Sequence, residues 1–243
     1  MAQVIAVLSG KGGTGKTSLC AGIAAALAMD GQQVLCIDCD VGLRNLDIAL
    51  GLTDVCAVCF MDVCRGDYGL EQAASHPAYP NLRFLTAPVN CRAEQIDRFT
   101  FAHMIDAARS SFQYILLDAP AGIDTGFRLA AGVADQAILV SNADPASIRD
   151  AHRCADELEQ MGKTARLVIN RLQKKLFKTV DMTVDDLMDD AGLPLLGVVP
   201  EDPCVVFAAA FGQPLMGYTE KGAAAACRRI ARRLQGKRVK LRI

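Results

Sequence analysis

The segment Gly10-Lys11-Gly12-Gly13-Thr14-Gly15-Lys16-Thr17 places four glycines, two lysines and two hydroxyls within eight residues. Glycines let a backbone turn tightly enough for several N–H groups to converge on one anion. The spacing is G-x-x-x-x-G-K-[ST], the pattern of a loop that cradles phosphates. In that pattern Lys16 reaches the β- and γ-phosphates and Thr17 offers its hydroxyl to Mg²⁺, with Ser18 next in line. A second pattern supplies the other side of the metal. Tyr114-Ile115-Leu116-Leu117-Asp118 is an apolar run ending in a carboxylate, which holds Mg²⁺ through water. Together the two patterns imply a site for ATP or ADP with Mg²⁺. No [NT]KxD stretch accompanies them, which argues against guanine.

These groups need a scaffold, and the surrounding sequence describes one. Nearly continuous apolar runs occur at Val4–Leu8, Val34–Asp38, Leu82–Thr86, Tyr114–Asp118, Gln136–Ser141, Arg166–Asn170 and Leu195–Val199. Such runs read as strands buried on both faces. Helical patterns lie between them. Leu19 to Met29 is closed by Asp30-Gly31, and Val184 to Ala191 by Gly192 and Pro194. The alternation predicts a three-layer α/β fold, a mostly parallel sheet with helices on both faces. The P-loop follows the first strand and opens the first helix, which is the context its motif requires. One domain over residues 1–236 is expected, followed by a short basic tail, 237–243.

Composition narrows the class. The chain has 243 residues, 51% of them hydrophobic and 22% charged. That is enough apolar material for one sizeable core. No apolar run approaches the ~18 residues that span a bilayer. The strand that begins just after Met1 leaves no room for a signal peptide, so a cytoplasmic protein is expected. The ten cysteines then read mainly as small buried hydrophobes. Cys36 and Cys39 have CxxC spacing but lie on and just after a strand, whereas a redox pair opens a helix. Cys56, Cys59 and Cys64 lack a fourth ligand at zinc spacing. His76, His103 and His152 are scattered and form no ligand set. Of the 26 Lys/Arg side chains, nine fall in 221–243 with no Asp or Glu, which leaves 17 basic against all 27 acidic residues in 1–220. A basic tail on an acidic body points to an anionic partner.

Lys11, directly after the first glycine, goes beyond a plain P-loop. Lys-Gly-Gly-Thr-Gly-Lys-Thr resembles the deviant Walker A family of P-loop ATPases, a SIMIBI-type group that includes MinD, ParA-type partition ATPases, nitrogenase iron protein and Mrp-type scaffolds. Three stretches are most similar to the MinD branch: Ile37-Asp38-Cys39-Asp40-Val41-Gly42-Leu43-Arg44-Asn45-Leu46-Asp47 to its switch I, Asp118-Ala119-Pro120-Ala121-Gly122-Ile123-Asp124 to its switch II, and Ser147-Ile148-Arg149-Asp150 to a segment near the dimer and partner surface. The resemblance covers residues 2–235. It implies an ATP-bound homodimer in which Lys11 reaches the partner's phosphates in trans, much as an arginine finger does. It also implies that Asp40 orients the attacking water on the metal side of the site and that Asp38 supports that side. Asn170 and Arg171, and Pro200 and Asp202, stand where the family's strand ends hold adenine, at the carboxyl edge where open α/β sheets bind ligands. Two departures stand out. Cys39 replaces a small residue, and Asp144-Pro145 replaces a Glu-Xaa pair, with Pro145 expected to alter that loop.

The resemblance implies slow ATP hydrolysis that resets a switch for septum placement, with a division inhibitor of the MinC type as partner and an activator of the MinE type. It further implies a peripheral position at the inner face of the cell membrane. Ala223 to Gln235 reads as the last core helix, closed by Gly236. Cys227, Ile230, Ala231 and Leu234 share one face, and Arg228, Arg229, Arg232 and Arg233 the other. Beyond it, Lys237 to Ile243 alternates basic and apolar residues and is short for an independent helix. Weak, electrostatic attachment to an anionic membrane is therefore expected, strengthened when dimerisation doubles the tails. A DNA-partition ATPase and a flagellar-number regulator are the alternatives within the family. The Gly42–Asp47 stretch argues against the first, and the expected lack of an N-terminal extension against the second. No cysteine falls where an iron–sulfur relative needs one.

Overall fold

A computed structural model of the chain describes residues 2–242 except Gly42, Asn90, Val180 and Asp181. Met1, Gly42 of the switch-like stretch and Ile243 of the tail thus lie outside the described residues. The strands are β1 (Gln3–Leu8), β2 (Val34–Asp38), β3 (Ala74–Ser75), β4 (Leu82–Leu85), β5 (Tyr114–Asp118), β6 (Gln136–Asn142), β7 (Thr164–Leu172) and β8 (Leu195–Pro200). The helices are α1 (Lys16–Met29), α2 (Leu46–Leu50), α3 (Phe60–Arg65), α4 (Arg98–Ala108), α5 (Thr125–Val133), α6 (Pro145–Gln160), α7 (Lys174–Thr179), α8 (Val184–Ala191), α9 (Cys204–Ala210), α10 (Leu215–Tyr218) and α11 (Gly222–Leu234).

The strands form one eight-stranded sheet in the order β3-β4-β2-β5-β1-β6-β7-β8. All neighbours are parallel except β3 and β4. Alternate residues of each central strand supply two separate cores, because successive side chains point to opposite faces. Val4, Ala6 and Leu8 of β1 join Leu35, Ile37, Ile115 and Leu117 beneath α4, α5, α6 and α8. Ile5 and Val7 join Val34, Cys36 and Leu116 beneath α1, α10 and α11. Both faces being covered explains why the strands read as unbroken apolar runs.

The three-layer α/β class expected from the sequence is the one observed. The edge strand β3 was not among the expected strands. Its two residues carry no pattern and are strand only through antiparallel pairing with β4. Helix α1 begins three residues before Leu19, since Gly15 at a left-handed φ starts it. Helix α8 has the expected bounds, capped by Thr183 and ended by Gly192 at φ 66°. Helix α11 starts and ends one residue early, and its apolar face is buried as expected. Arg233 departs from the expected basic face. Its guanidinium donates to Leu196 O at 2.8 Å and to Val239 O at 3.0 Å, joining β8 to the tail.

Cys36 and Cys39 pack into opposite cores. Cys59 Sγ accepts the Met61 N–H at 3.4 Å and caps α3, while Cys64 Sγ sits 3.7 Å from Met104 Sδ. No helix among the described residues is long and apolar enough to cross a membrane.

Candidate nucleotide site

Strand β1 lies at the centre of the sheet, and the chain leaves its carboxyl end into the loop Ser9–Gly15. This is a topological switch point. One connection from β1 leads to β2 on one side, and β6 flanks it on the other. Gly13 and Gly15 adopt φ of 79° and 80°, where a side chain is strained. A Cβ on Gly10 would sit 2.7 Å from Asp150 Cβ and O, so the loop lies against α6. Gly15 leads directly into α1, whose first-turn N–H groups have no intrahelical partners and turn toward the same space.

Two side chains from β7 tie the loop down. Asn170 Nδ2 donates to Thr14 O at 2.7 Å, and Arg171 Nη1 donates to Gly13 O at 3.1 Å. Arg171 adopts a left-handed φ of 55° and pairs with Glu201 at 3.0 Å.

Lys16 Nζ lies 2.9 Å from Asp118 Oδ1, with both side chains buried. Burial pushes the Asp118 carboxyl above its ordinary value, and Lys16 pulls against that. Asp38 is the register neighbour of Asp118. Burial, followed by the Asp118 charge, raises Asp38 to about 7. Its Oδ1 accepts Asp40 N–H at 2.9 Å and its Oδ2 accepts Leu46 N–H at 3.2 Å. Asp38 therefore holds the loop after β2, and Asp40 rather than Asp38 lines the cleft. Asp40 is partly buried, which raises its carboxyl despite nearby Lys16.

Lys11, Gly12, Gly13, Thr14, Lys16 and Thr17, with Asp40 opposite, line a cleft of about 540 Å³. Gly15 and Ser18 line it too and also border a second pocket of about 210 Å³. Asn170, Arg171, Pro200 and Asp202 all border that second pocket. Its apolar walls include Val205, Val206 and Leu215 from α9 and α10, which were not among the expected site residues. Val205 and Val206 follow shortly after the β8 strand end, whereas Leu215, at the start of α10, carries no such signal.

Asp202 lines this pocket and also holds the chain segments that form it. Its carboxylate accepts Cys204 N–H and Ala223 N–H, each at 2.9 Å, at the starts of α9 and α11. Burial would raise this carboxyl, but those two backbone bonds outweigh it and hold it low. Asp202 thus shapes the pocket with its charge committed to the backbone.

The expected disturbance at Asp144-Pro145 needs correction. Pro145 occupies the first turn of α6, where its fixed φ and missing N–H are tolerated, and Asp144 is the N-cap. Asp144 Oδ1 accepts Ser147 N–H at 2.9 Å and lies 3.3 Å from Lys11 Nζ. Asp144 was not among the expected site residues, yet it is the carboxylate that Lys11 meets.

Asp118 Oδ2 and Thr14 Oγ1 are buried and have no hydrogen-bond partner among the described residues. Leaving such groups unpaired is costly. An orphaned carboxylate oxygen near the Thr17 hydroxyl and a phosphate-cradling loop is the oxygen chemistry that Mg²⁺ takes. The residues present fit Mg²⁺ and a nucleoside phosphate.

Comparison with known proteins agrees with this geometry. A family profile described as the CobQ/CobB/MinD/ParA nucleotide binding domain matches residues 5–215. The septum site-determining protein MinD of Synechocystis sp. is 36% identical over 241 residues, covering 97% of this chain and 90% of that protein. The solved MinC:MinD cell division protein complex of Aquifex aeolicus superposes with a TM-score of 0.91 at 36% identity, covering 100% of this chain and 99% of that one. MinD complexed with Mg-ADP from Pyrococcus horikoshii superposes with a TM-score of 0.85 at 30% identity, covering 96% of each chain.

Proposed function

The chain belongs to the CobQ/CobB/MinD/ParA nucleotide-binding family and, within it, to the MinD septum site-determining proteins, and on that ground we propose that it is an ATP-driven switch for placing the division septum. The observation that carries the reading is the buried Lys16–Asp118 pair at the head of the P-loop cleft. A buried lysine paired with a carboxylate beside the loop supports a phosphate-binding role for Lys16 and a metal-side role for Asp118.

In this reading Gly10 to Ser18 bind the phosphates, and the second pocket takes the adenine against Pro200, Asn170 and Arg171. Thr17 and Asp118 would hold Mg²⁺, and Asp40 would stand on the same side. When bound, Mg²⁺ neutralises charge on the phosphate oxygens. Asp40 accepts a hydrogen bond from the attacking water. Asp38 keeps Asp40 in place by accepting its backbone N–H. Lys16 stabilises charge that develops on the γ-phosphate. Intrinsic turnover is slow, as suits a switch.

Lys11 acts across a homodimer that ATP favours and ADP does not, a population shift driven by differential binding. Its partly exposed pair with Asp144 is weak enough to exchange for a partner's phosphate. The dimer recruits a MinC-type division inhibitor, and a MinE-type activator stimulates hydrolysis. Residues 1–236 form the ATPase domain. The basic tail, 237–243, provides reversible contact with the inner face of the membrane. DNA is not the expected surface.

The test is co-sedimentation with anionic liposomes, run alongside light scattering of the free protein, in Mg²⁺-ATP and in Mg²⁺-ADP. Dimerisation specific to ATP, with pelleting stronger in ATP than in ADP, supports the switch. A chain that stays monomeric in ATP and hydrolyses none of it overturns the reading.

A further inference from the structure

Helix α11 and the tail build a second charged cleft on the sheet face shared with α1. On α11, positions 225, 228, 229 and 232 follow the spacing of one helical face. Ala225 is small and leaves room, while Arg228, Arg229 and Arg232 stand around it. The chain then turns at Gly236, with φ of 76°. Lys237 N–H donates to Arg232 O at 3.0 Å, and Arg233 holds Val239 O at 3.0 Å. The tail therefore runs back along the helix and brings Lys240 and Arg242 to the same space. The result is a cleft of about 370 Å³ lined by Glu220, Ala225, three arginines of α11, and Val239, Lys240 and Arg242 of the tail.

Five cationic side chains face this cleft against one carboxylate. That carboxylate, Glu220, is 84% exposed and 3.8 Å from Arg228, so it neutralises little. Arg228 Nε is buried and has no hydrogen-bond partner among the described residues. Burial lowers the Arg229 guanidinium, and Arg242 and Arg233 lower it further, as expected for cations lacking a counter-ion. Arginine forks match the oxygens of a phosphate group, and several converging forks bind one better than lysines would.

We propose that the cleft between α11 and the returning tail is a binding site for a phosphate-bearing anion. The inference goes beyond the switch described above, since it needs neither ATP nor a dimer. It deepens the membrane part of that reading by giving the anionic surface a defined point of contact. A lipid headgroup and a soluble phosphate share this chemistry.

The test uses the full chain in saturating Mg²⁺-ADP, so that the P-loop is filled and no ATP-specific event contributes. One arm measures pelleting with phosphatidylcholine vesicles, with and without phosphatidylglycerol. The other measures pyrophosphate binding by calorimetry. The cleft variant combines Arg232→Gln with Arg242→Gln, both exposed and safe for folding. The control combines Lys221→Gln with Arg238→Gln, which removes the same charge away from the cleft. The expected result is a loss of about tenfold or more in the cleft variant and a small loss in the control. Cleft-dependent binding in the vesicle arm alone supports a headgroup, and in the calorimetric arm alone a soluble phosphate. Equal losses in both variants would mean diffuse attraction and overturn the site, as would no binding in either arm. Failure of ATP-dependent pelleting would count against the switch and leave this result untouched.

Discussion

Lys16 Nζ sits 2.9 Å from Asp118 Oδ1 although the two residues are 102 positions apart in sequence. Parallel pairing of β1 with β5 sets Val7 beside Asp118, and the P-loop brings Lys16 back over that strand end. Both groups are buried, so each depends on the other for a counter-charge.

Removing one partner of such a pair strands the other, at a cost of about 3–5 kcal/mol. Lys16→Ala and Asp118→Ala are each expected to lower thermal stability clearly and to abolish ATP binding. The double variant should lose much less than the two single losses added. Calorimetric melting of all four proteins checks this, and full additivity would show that the pair is not coupled.

Asp38 gives a pH dependence with a definite sign. Its carboxyl is raised to about 7 by burial and by Asp118, so the folded state binds more protons than the unfolded state between the ordinary carboxylate value and about 7. Asp38 thus favours folding most at low pH, and that contribution is lost as pH rises toward 7. Asp38→Asn keeps an acceptor for Asp40 or Leu46 and does not titrate. Its melting temperature relative to the parent should rise from pH 4 to pH 7 and level off above. A gap that stays constant over this range would contradict the assignment.

The Lys11–Asp144 pair is partly exposed, and pairs of this kind contribute under about 1 kcal/mol. Lys11→Ala should therefore melt close to the parent while losing ATP-dependent dimerisation and stimulated hydrolysis. Asp144→Ala also removes the α6 cap, at about 1 kcal/mol, and leaves Lys11 in place. Melting curves and light scattering in ATP separate the two effects. Stimulated turnover at the normal rate in Lys11→Ala would exclude a role in trans.

Asn170 ties β7 to the P-loop through its 2.7 Å bond to Thr14 O. Asn170→Ala should weaken ADP and ATP binding by about tenfold, the equivalent of one hydrogen bond with its geometry. Asn170→Asp keeps the size but replaces the donor with a carboxylate, and it should be worse. Fluorescent-nucleotide titration reads both. Unchanged affinity in the alanine variant would show that the tie between β7 and the P-loop does not support nucleotide binding.

Much of this molecule was legible in its residues. The P-loop spacing carries its own backbone chemistry, because glycine at left-handed φ and a helix start are local properties of Gly13, Gly15 and α1. The apolar runs ending at Asp118 and Asp38 marked strands because burial on both faces leaves no polar alternation. The end of helix α8 was marked by Gly192 and Pro194, while its Thr183 cap emerged only in the structure.

Other features had no local signal. β3 exists only by pairing with β4. The acceptor for Lys11 was hidden because Asp144 lies 133 residues away in sequence. The backbone contacts of Asp202 were hidden for a similar reason. Its carboxylate serves two helix starts, one of them 21 residues distant, and no spacing rule joins them. The apolar walls Val205, Val206 and Leu215, and the return of the tail onto α11, likewise depend on which surfaces meet. Residue types and short spacings set the backbone conformations and the chemistry available, since those energies are local. Which carboxylate faces which cation was settled by packing, since charges and apolar walls meet only after the sheet has ordered its strands.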